Sequence, residues 1–112
     1  TAMTDFDISK LMSSNELHPK EVTTCGMTFT VYVRRLPAVD LRKFQSETRS
    51  DDREEVATAG FNALVKSIRT EDGKPFATRE QYVKMDAEAV SALLAVFTAV
   101  NVAKRDDDLG NA

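Results

Sequence analysis

Lys20-Glu21-Val22-Thr23-Thr24-Cys25-Gly26-Met27-Thr28-Phe29-Thr30-Val31-Tyr32-Val33-Arg34-Arg35-Leu36 carries the strong β signal of this chain. Here Val, Thr, Tyr and Phe, which suit a pleated and half-buried surface, displace the helix formers that dominate elsewhere. Met27, Phe29, Val31 and Val33 alternate with Thr28, Thr30, Tyr32 and Arg34. Side chains on a strand alternate between faces, so the apolar row should turn to the core and the polar row away from it. Between this run and Glu21-Val22-Thr23-Thr24 lies Cys25-Gly26, a two-residue connection in which Gly26 can take positive φ. The expected element is a β-hairpin.

On the N-terminal side, Pro19 restricts His18 to extended geometry, which suits the approach to a strand. Met3 to His18 is polar and punctuated by Phe6, Ile8, Leu11, Met12 and Leu17 without a sustained period, so it reads as a mobile arm. Thr1 and Ala2 are read as additions ahead of a natural start at Met3. On the C-terminal side, Leu36-Pro37-Ala38 ends the strand, and proline suits a first helical position because that N–H has no partner anyway. A short helix to about Glu47 should bury Val39, Leu41 or Phe44. Ser50 to Glu55 opens a second helix, with negative charge at the positive end of the dipole and an Asp51/Glu54 spacing that resembles a capping box. Its core stripe is expected at Ala57, Phe61, Leu64, Val65 and Ile68, and Glu71-Asp72-Gly73-Lys74-Pro75 stops it with turn residues. Thr78 with Gln81 caps a short third helix carrying Tyr82, Val83 and Met85. Asp86 caps a fourth, from Ala87 to about Ala103. The sequence thus predicts an α+β fold, mostly α, with one hairpin followed by about four helices. Residues 1–18 form the arm, 19–103 a single globular domain and 104–112 a charged, flexible tail.

A chain of 112 residues with 42% hydrophobic content can enclose one core without disulfides or metal. Its net charge of −3 opposes the attraction that gives most non-specific affinity for nucleic acid or for an anionic membrane. Arg34-Arg35 and Lys104-Arg105 are short basic pairs, each followed by acidic residues, and read as solvated surface. Cys25 is the one cysteine, so no intrachain disulfide forms. No apolar run approaches the roughly 20 residues of a membrane helix, and no signal peptide opens the chain, which places it in the cytosol as an expectation.

The residues offer little chemistry. Cys25 as nucleophile would need His18 as base, yet one lies in the hairpin turn and the other at the far end of the first strand. One Cys and one His cannot supply a usual zinc set. Arg69-Thr70-Glu71-Asp72-Gly73 lacks the alternating acidic ligands of a calcium loop, and the four glycines are scattered rather than spaced for a nucleotide. No catalytic, cofactor or metal residue is assigned, and the expected class is a non-enzymatic protein-binding factor.

The candidate binding surface comes from the fourth helix. Val90, Leu93, Leu94, Val96, Phe97, Val100 and Val102 make too wide a belt for one core-facing stripe. With Val90, Leu94 and Phe97 turned inward, Leu93, Val96 and Val100 are left on a neighbouring sector. Together with Phe6, Leu11 and Met12 of the arm they are the candidate protein-interaction residues, and self-association is expected to cover the helical three, Leu93, Val96 and Val100.

Three stretches carry a resemblance to a known family. MTFTVYVRRLPAVDLRKF (27–44) looks like a strand ending in an Arg-Leu step into a helix that closes with an aromatic. EDGKPFATREQ (71–81) resembles an acidic, Gly-containing loop before a capped short helix. AVSALLAVFTAVN (89–101) resembles a terminal apolar helix ending in Asn, here Asn101. Spanning about Glu21 to Val102, they are similar to the tail assembly chaperones of long-tailed bacteriophages and prophages, from which Cys25 departs where a polar turn residue is usual. The resemblance implies a factor that binds the tape-measure protein and recruits tail tube subunits in the host cytoplasm, absent from the mature virion. It also implies a longer frameshifted product joined near the charged tail. The alternative is a small intracellular adapter or DNA-binding regulator using the last two helices, although the second of these has almost no Arg, Lys, Asn or Gln to read bases. An enzyme subunit without its own active site is a third reading.

Overall fold

The hairpin forms around a turn in which both Cys25 and Gly26 have positive φ, 52° and 74°. That is the geometry of a type I′ turn, whose twist matches the strands it joins. Cys25 holds the left-handed conformation at a cost that Asn or Gly would not incur. The computed structural model describes residues 7–12 and 16–103, so the Phe6 and tail expectations lie outside the described residues. Strand β1 (Leu17–Thr24) pairs antiparallel with β2 (Met27–Arg34), from Leu17 opposite Arg34 to Thr24 opposite Met27. β1 therefore begins at Leu17, and His18 is a strand residue paired with Val33. A third strand, β3 (Ile68–Arg69), adds antiparallel to β2 and gives the order β1-β2-β3.

Four helices follow or interrupt the sheet: α1 (Ala38–Thr48), α2 (Arg53–Ser67), α3 (Arg79–Lys84) and α4 (Ala87–Thr98). A π-helical turn, Ala99–Ala103, extends α4. This is the expected α+β architecture. The caps follow local chemistry. Thr78 and Gln81 form the reciprocal capping box of α3, at 3.1 and 2.8 Å, and Asp86 accepts from the Glu88 N–H at 2.8 Å. At α2 the cap falls one residue later than expected, on Asp52, which accepts from Glu54 N–H while Ser50 Oγ holds the Asp52 N–H.

The core joins Val22, Val31 and Val33 of the hairpin to Leu41, Leu64, Ile68, Tyr82, Leu93, Phe97 and Val100. The apolar row of β2 enters it only at Val31 and Val33. Phe29 is half-buried and stacks on Phe76, with ring centroids 5.9 Å apart, whereas Met27 beside the turn is exposed. Of the three α1 candidates, Leu41 is buried, Phe44 is half-buried and meets Phe97 edge-on at 5.0 Å, and Val39 points to solvent.

Two helical faces differ from the expected ones. α2 buries Ala59, Ala63, Leu64 and Ser67, leaving Phe61 and Val65 half-buried and Ala57 exposed. Ala59, Ala63 and Ser67 form an i, i+4, i+8 row of small side chains that lets α2 approach its neighbours closely. Ser67 Oγ donates to Ala63 O at 2.7 Å, so its hydroxyl is buried with a partner. α4 turns Leu93 (1% exposed), Phe97 and Val100 (7%) into the core. Val90, Leu94 and Val96 flank them, partly buried. Two of the three helical residues that the sequence analysis assigned to partners, Leu93 and Val100, thus lie on the inward face, because α4 packs against β1 and α2 together, while Val96 stays at its edge.

Replacing Phe97 by Ala should lower stability by about 3–5 kcal/mol, and Phe61→Ala should cost less because Phe61 is only partly buried at the edge of the core. Urea melts of the two variants would measure the difference. The Tyr82 hydroxyl has no hydrogen-bond partner in the core. Burial pushes its pKa up to about 12, against a smaller opposing pull from the Arg69 charge. The unfolded chain releases this proton near pH 10, so the contribution is intact below about pH 10 and falls toward pH 12 by roughly 1.4 kcal/mol per unit. Tyr82→Phe should flatten that part of the stability–pH profile.

Candidate protein-interaction surface

Two side chains of the α4 segment hold the hairpin at its opposite ends. Near the start of α4, Glu88 Oε2 accepts from the Cys25 N–H at 2.7 Å and from Thr24 Oγ1 at 3.1 Å, so one carboxylate closes the exposed turn. In the π-helical turn, Asn101 Oδ1 accepts from the Leu36 N–H at 2.8 Å, and its Nδ2 donates to Arg34 O and Phe97 O, both at 3.3 Å. Leu36 lies past the end of β2 and next to Pro37, which has no N–H to offer. A side-chain amide, with one acceptor and two donors, serves the strand end and the helix at once. Sequence reading singled out Asn101 only as part of the resemblance and missed Glu88. A carboxamide inside an apolar helical run was the available signal, because such a group must find partners when it is covered.

Around this frame the apolar surface is uneven. The 3-10 turn Ile8–Leu11 carries Ile8 and Leu11, which are 69% and 72% exposed, and Met12 follows at 67%. Residues three apart nearly eclipse in a 3-10 turn, so Ile8 and Leu11 share one side. Val39 and Val83 are exposed elsewhere. Of the six sequence candidates, then, Leu11 and Met12 are accessible, Val96 is partly so, and Leu93 and Val100 are enclosed by the chain itself. Ile8 is an addition that its lack of a clear period concealed.

The sheet offers a second feature. Leu17, Arg34, Arg69 and Gly73 line an open cleft of about 370 Å³. Arg69 Nη2 donates to Lys66 O at 3.1 Å. The loop closing this side is stiffened by Thr70, whose hydroxyl bonds to the Asp72 carboxylate, while Thr70 N–H donates to Lys74 O at 2.8 Å. The Thr70 bond holds the Asp72 carboxyl below its ordinary pKa.

Among the described residues no group of three or more His, Cys, Asp or Glu side chains could hold a metal ion, and no helix is long and apolar enough to cross a membrane. His18 and Cys25 stand seven residues apart on one extended strand and its turn, roughly 20 Å at the rise of a strand. The model of the phage tail assembly chaperone family, TAC, matches residues 8–101. This chain belongs to that family. No curated protein and no solved structure matches it. The matched region begins at Ile8 in the exposed apolar turn and ends at Asn101, the residue that ties this chaperone's last helix to its hairpin.

Replacing Asn101 by Leu strands the Leu36 N–H and the Arg34 carbonyl, and should cost about 1–3 kcal/mol. Glu88→Gln keeps an acceptor at an exposed turn and should cost less. Urea midpoints compared at unchanged slope would separate these two ends of the clamp.

Proposed function

We propose that this chaperone binds the tape-measure protein and recruits tail tube subunits during tail assembly, acting in the host cytoplasm and leaving before the virion matures. It acts by covering apolar surface rather than by bond chemistry. The observation that carries the reading is the outward placement of Ile8, Leu11 and Met12 within the family-matched region. Three large apolar side chains held in water on a short turn gain free energy when a partner removes them from it, at about 25 cal/mol per Å². A long, largely helical tape-measure protein presents apolar stripes suited to such an arm. In its absence, copies of the chaperone bury the same residues against each other, so self-association and partner binding compete. Family membership supports protein partners of tail assembly, and the order of events belongs to this proposal.

Co-expression of the tagged chaperone with its phage's tape-measure protein tests it. The wild type should retain that protein through purification. A Leu11→Asp, Met12→Asp double variant should lose most of it while keeping its urea midpoint, since both residues lie outside the core. The same variant should scatter light as a smaller species. Undiminished capture by the double variant, or none by the wild type, would overturn the assignment.

A further inference from the structure

On one side the sheet ends in a strand edge whose backbone groups the fold leaves unpaired. The two-residue Cys25-Gly26 turn makes Thr24 and Met27 a pair that exchanges backbone hydrogen bonds, so by alternation Val22, Lys20 and His18 also spend theirs on β2. The N–H and C=O groups of Leu17, Glu21 and Thr23, and the C=O of Pro19, therefore point away from β2. Pro19 agrees with this parity, because its missing N–H costs the ladder nothing there. On the other side of the sheet, the outward groups of β3 are already used: Phe76 N–H donates to Ile68 O at 3.2 Å, and the bridge of Arg69 to Pro75 covers the strand. Among the described residues no backbone bond reaches the outward groups of Glu21 and Thr23, and both residues are exposed.

Such an edge accepts a further strand through main-chain hydrogen bonds, and the alternate side chains give specificity. Pro19 interrupts the row of donors, so the usable run is residues 20–24, where an antiparallel strand would satisfy both groups of Glu21 and both of Thr23. A second copy of this chain fits poorly. The two longest two-fold registers of β1 against itself set Lys20 opposite Lys20 or Glu21 opposite Glu21. On the inward face of the run, Thr24 and Val22 are buried, whereas Lys20 is exposed and makes no ion pair among the described residues. We propose that the β1 edge takes up, antiparallel, an extended segment of a protein partner that sets an apolar residue opposite Val22 and, two positions later, an acidic one opposite Lys20. This assignment rests on the protein-binding function proposed above but uses none of Ile8, Leu11 and Met12, so either can fail alone.

The test titrates the full chain with acetyl-Thr-Thr-Val-Lys-Glu-Thr-amide and follows backbone amides in proton–nitrogen correlation spectra. The Glu21 and Thr23 N–H signals should move downfield together and saturate. N-methylation of the peptide's lysine removes a donor aimed at β1 and should weaken binding about tenfold, whereas N-methylation of its valine, whose N–H faces away, should leave binding unchanged. Lys20→Glu should weaken binding about threefold. Glu21→Pro, which like Pro19 removes only an outward N–H, should abolish it at an unchanged urea midpoint. If Glu21→Pro does not fold, the two N-methylated peptides decide. Equal binding of those two peptides, no saturable shift at millimolar peptide, loss of the shifts in the Leu11→Asp, Met12→Asp variant, or the same shifts on concentrating the chain alone would each overturn the proposal.

Discussion

The attachment of α4 to both ends of the hairpin is the constraint on which the other contacts depend. An isolated two-stranded hairpin is marginal in water. Here one face of the strands is closed by Leu93, Phe97 and Val100, and the ends are held by polar side chains of the same helical segment, Glu88 and Asn101. The polar contacts fix register along the helix while the apolar ones supply the driving force. Apolar burial alone tolerates a slide of one helical turn. A carboxamide that must meet Leu36 N–H and Arg34 O together does not.

With α4 so placed, α2 has to fill the space beside it, and its composition suits that task. Gly60 approaches the Leu94 side chain, where even an added Cβ would sit 3.7 Å from it at ordinary contact distance. Ala59 and Ala63 line a small gap together with Phe44 of α1 and with Leu36, which precedes that helix. The Lys66–Asp40 pair at 3.2 Å joins the same two helices at the surface and contributes little beyond orientation. α2 then runs directly into β3, so the third strand is delivered to the edge of β2 by the end of a helix rather than by a loop.

These long-range facts explain what could and could not be read from the chain. The hairpin, its turn and the caps at Thr78 and Asp86 depend on residues within a few positions of one another, and they stand where their chemistry put them. β3 was invisible because two residues, Ile68 and Arg69, carry no period and continue a helical pattern. The choice of inward sector on α4 could not be made from spacing, since Val90-Leu94-Phe97 and Leu93-Phe97-Val100 are equally good stripes. It was decided by the position of Glu88 and Asn101 relative to the hairpin, more than sixty residues away in sequence. The exposed apolar side chains Ile8, Leu11 and Met12 were legible, as apolar residues without a helical period. The Arg34 cleft was not, because its second arginine arrives on the unforeseen strand.

A chaperone of this build separates folding from binding. Most of the wide belt of α4 is covered by the sheet and α2, so the large apolar side chains left exposed among the described residues are few and peripheral. Ile8 and Leu11 on a short turn, with Met12 just after it, stand off the core ahead of β1, so substituting them leaves the clamp untouched. Ordering so short a segment against a partner costs roughly 1–2 kcal/mol of backbone entropy per residue, which three buried large side chains can offset only modestly. The expected consequence is a contact that forms readily and releases readily. The proposed function, in which the chaperone recruits tube subunits and leaves before the virion matures, requires that balance, and a larger exposed patch on α4 would work against it.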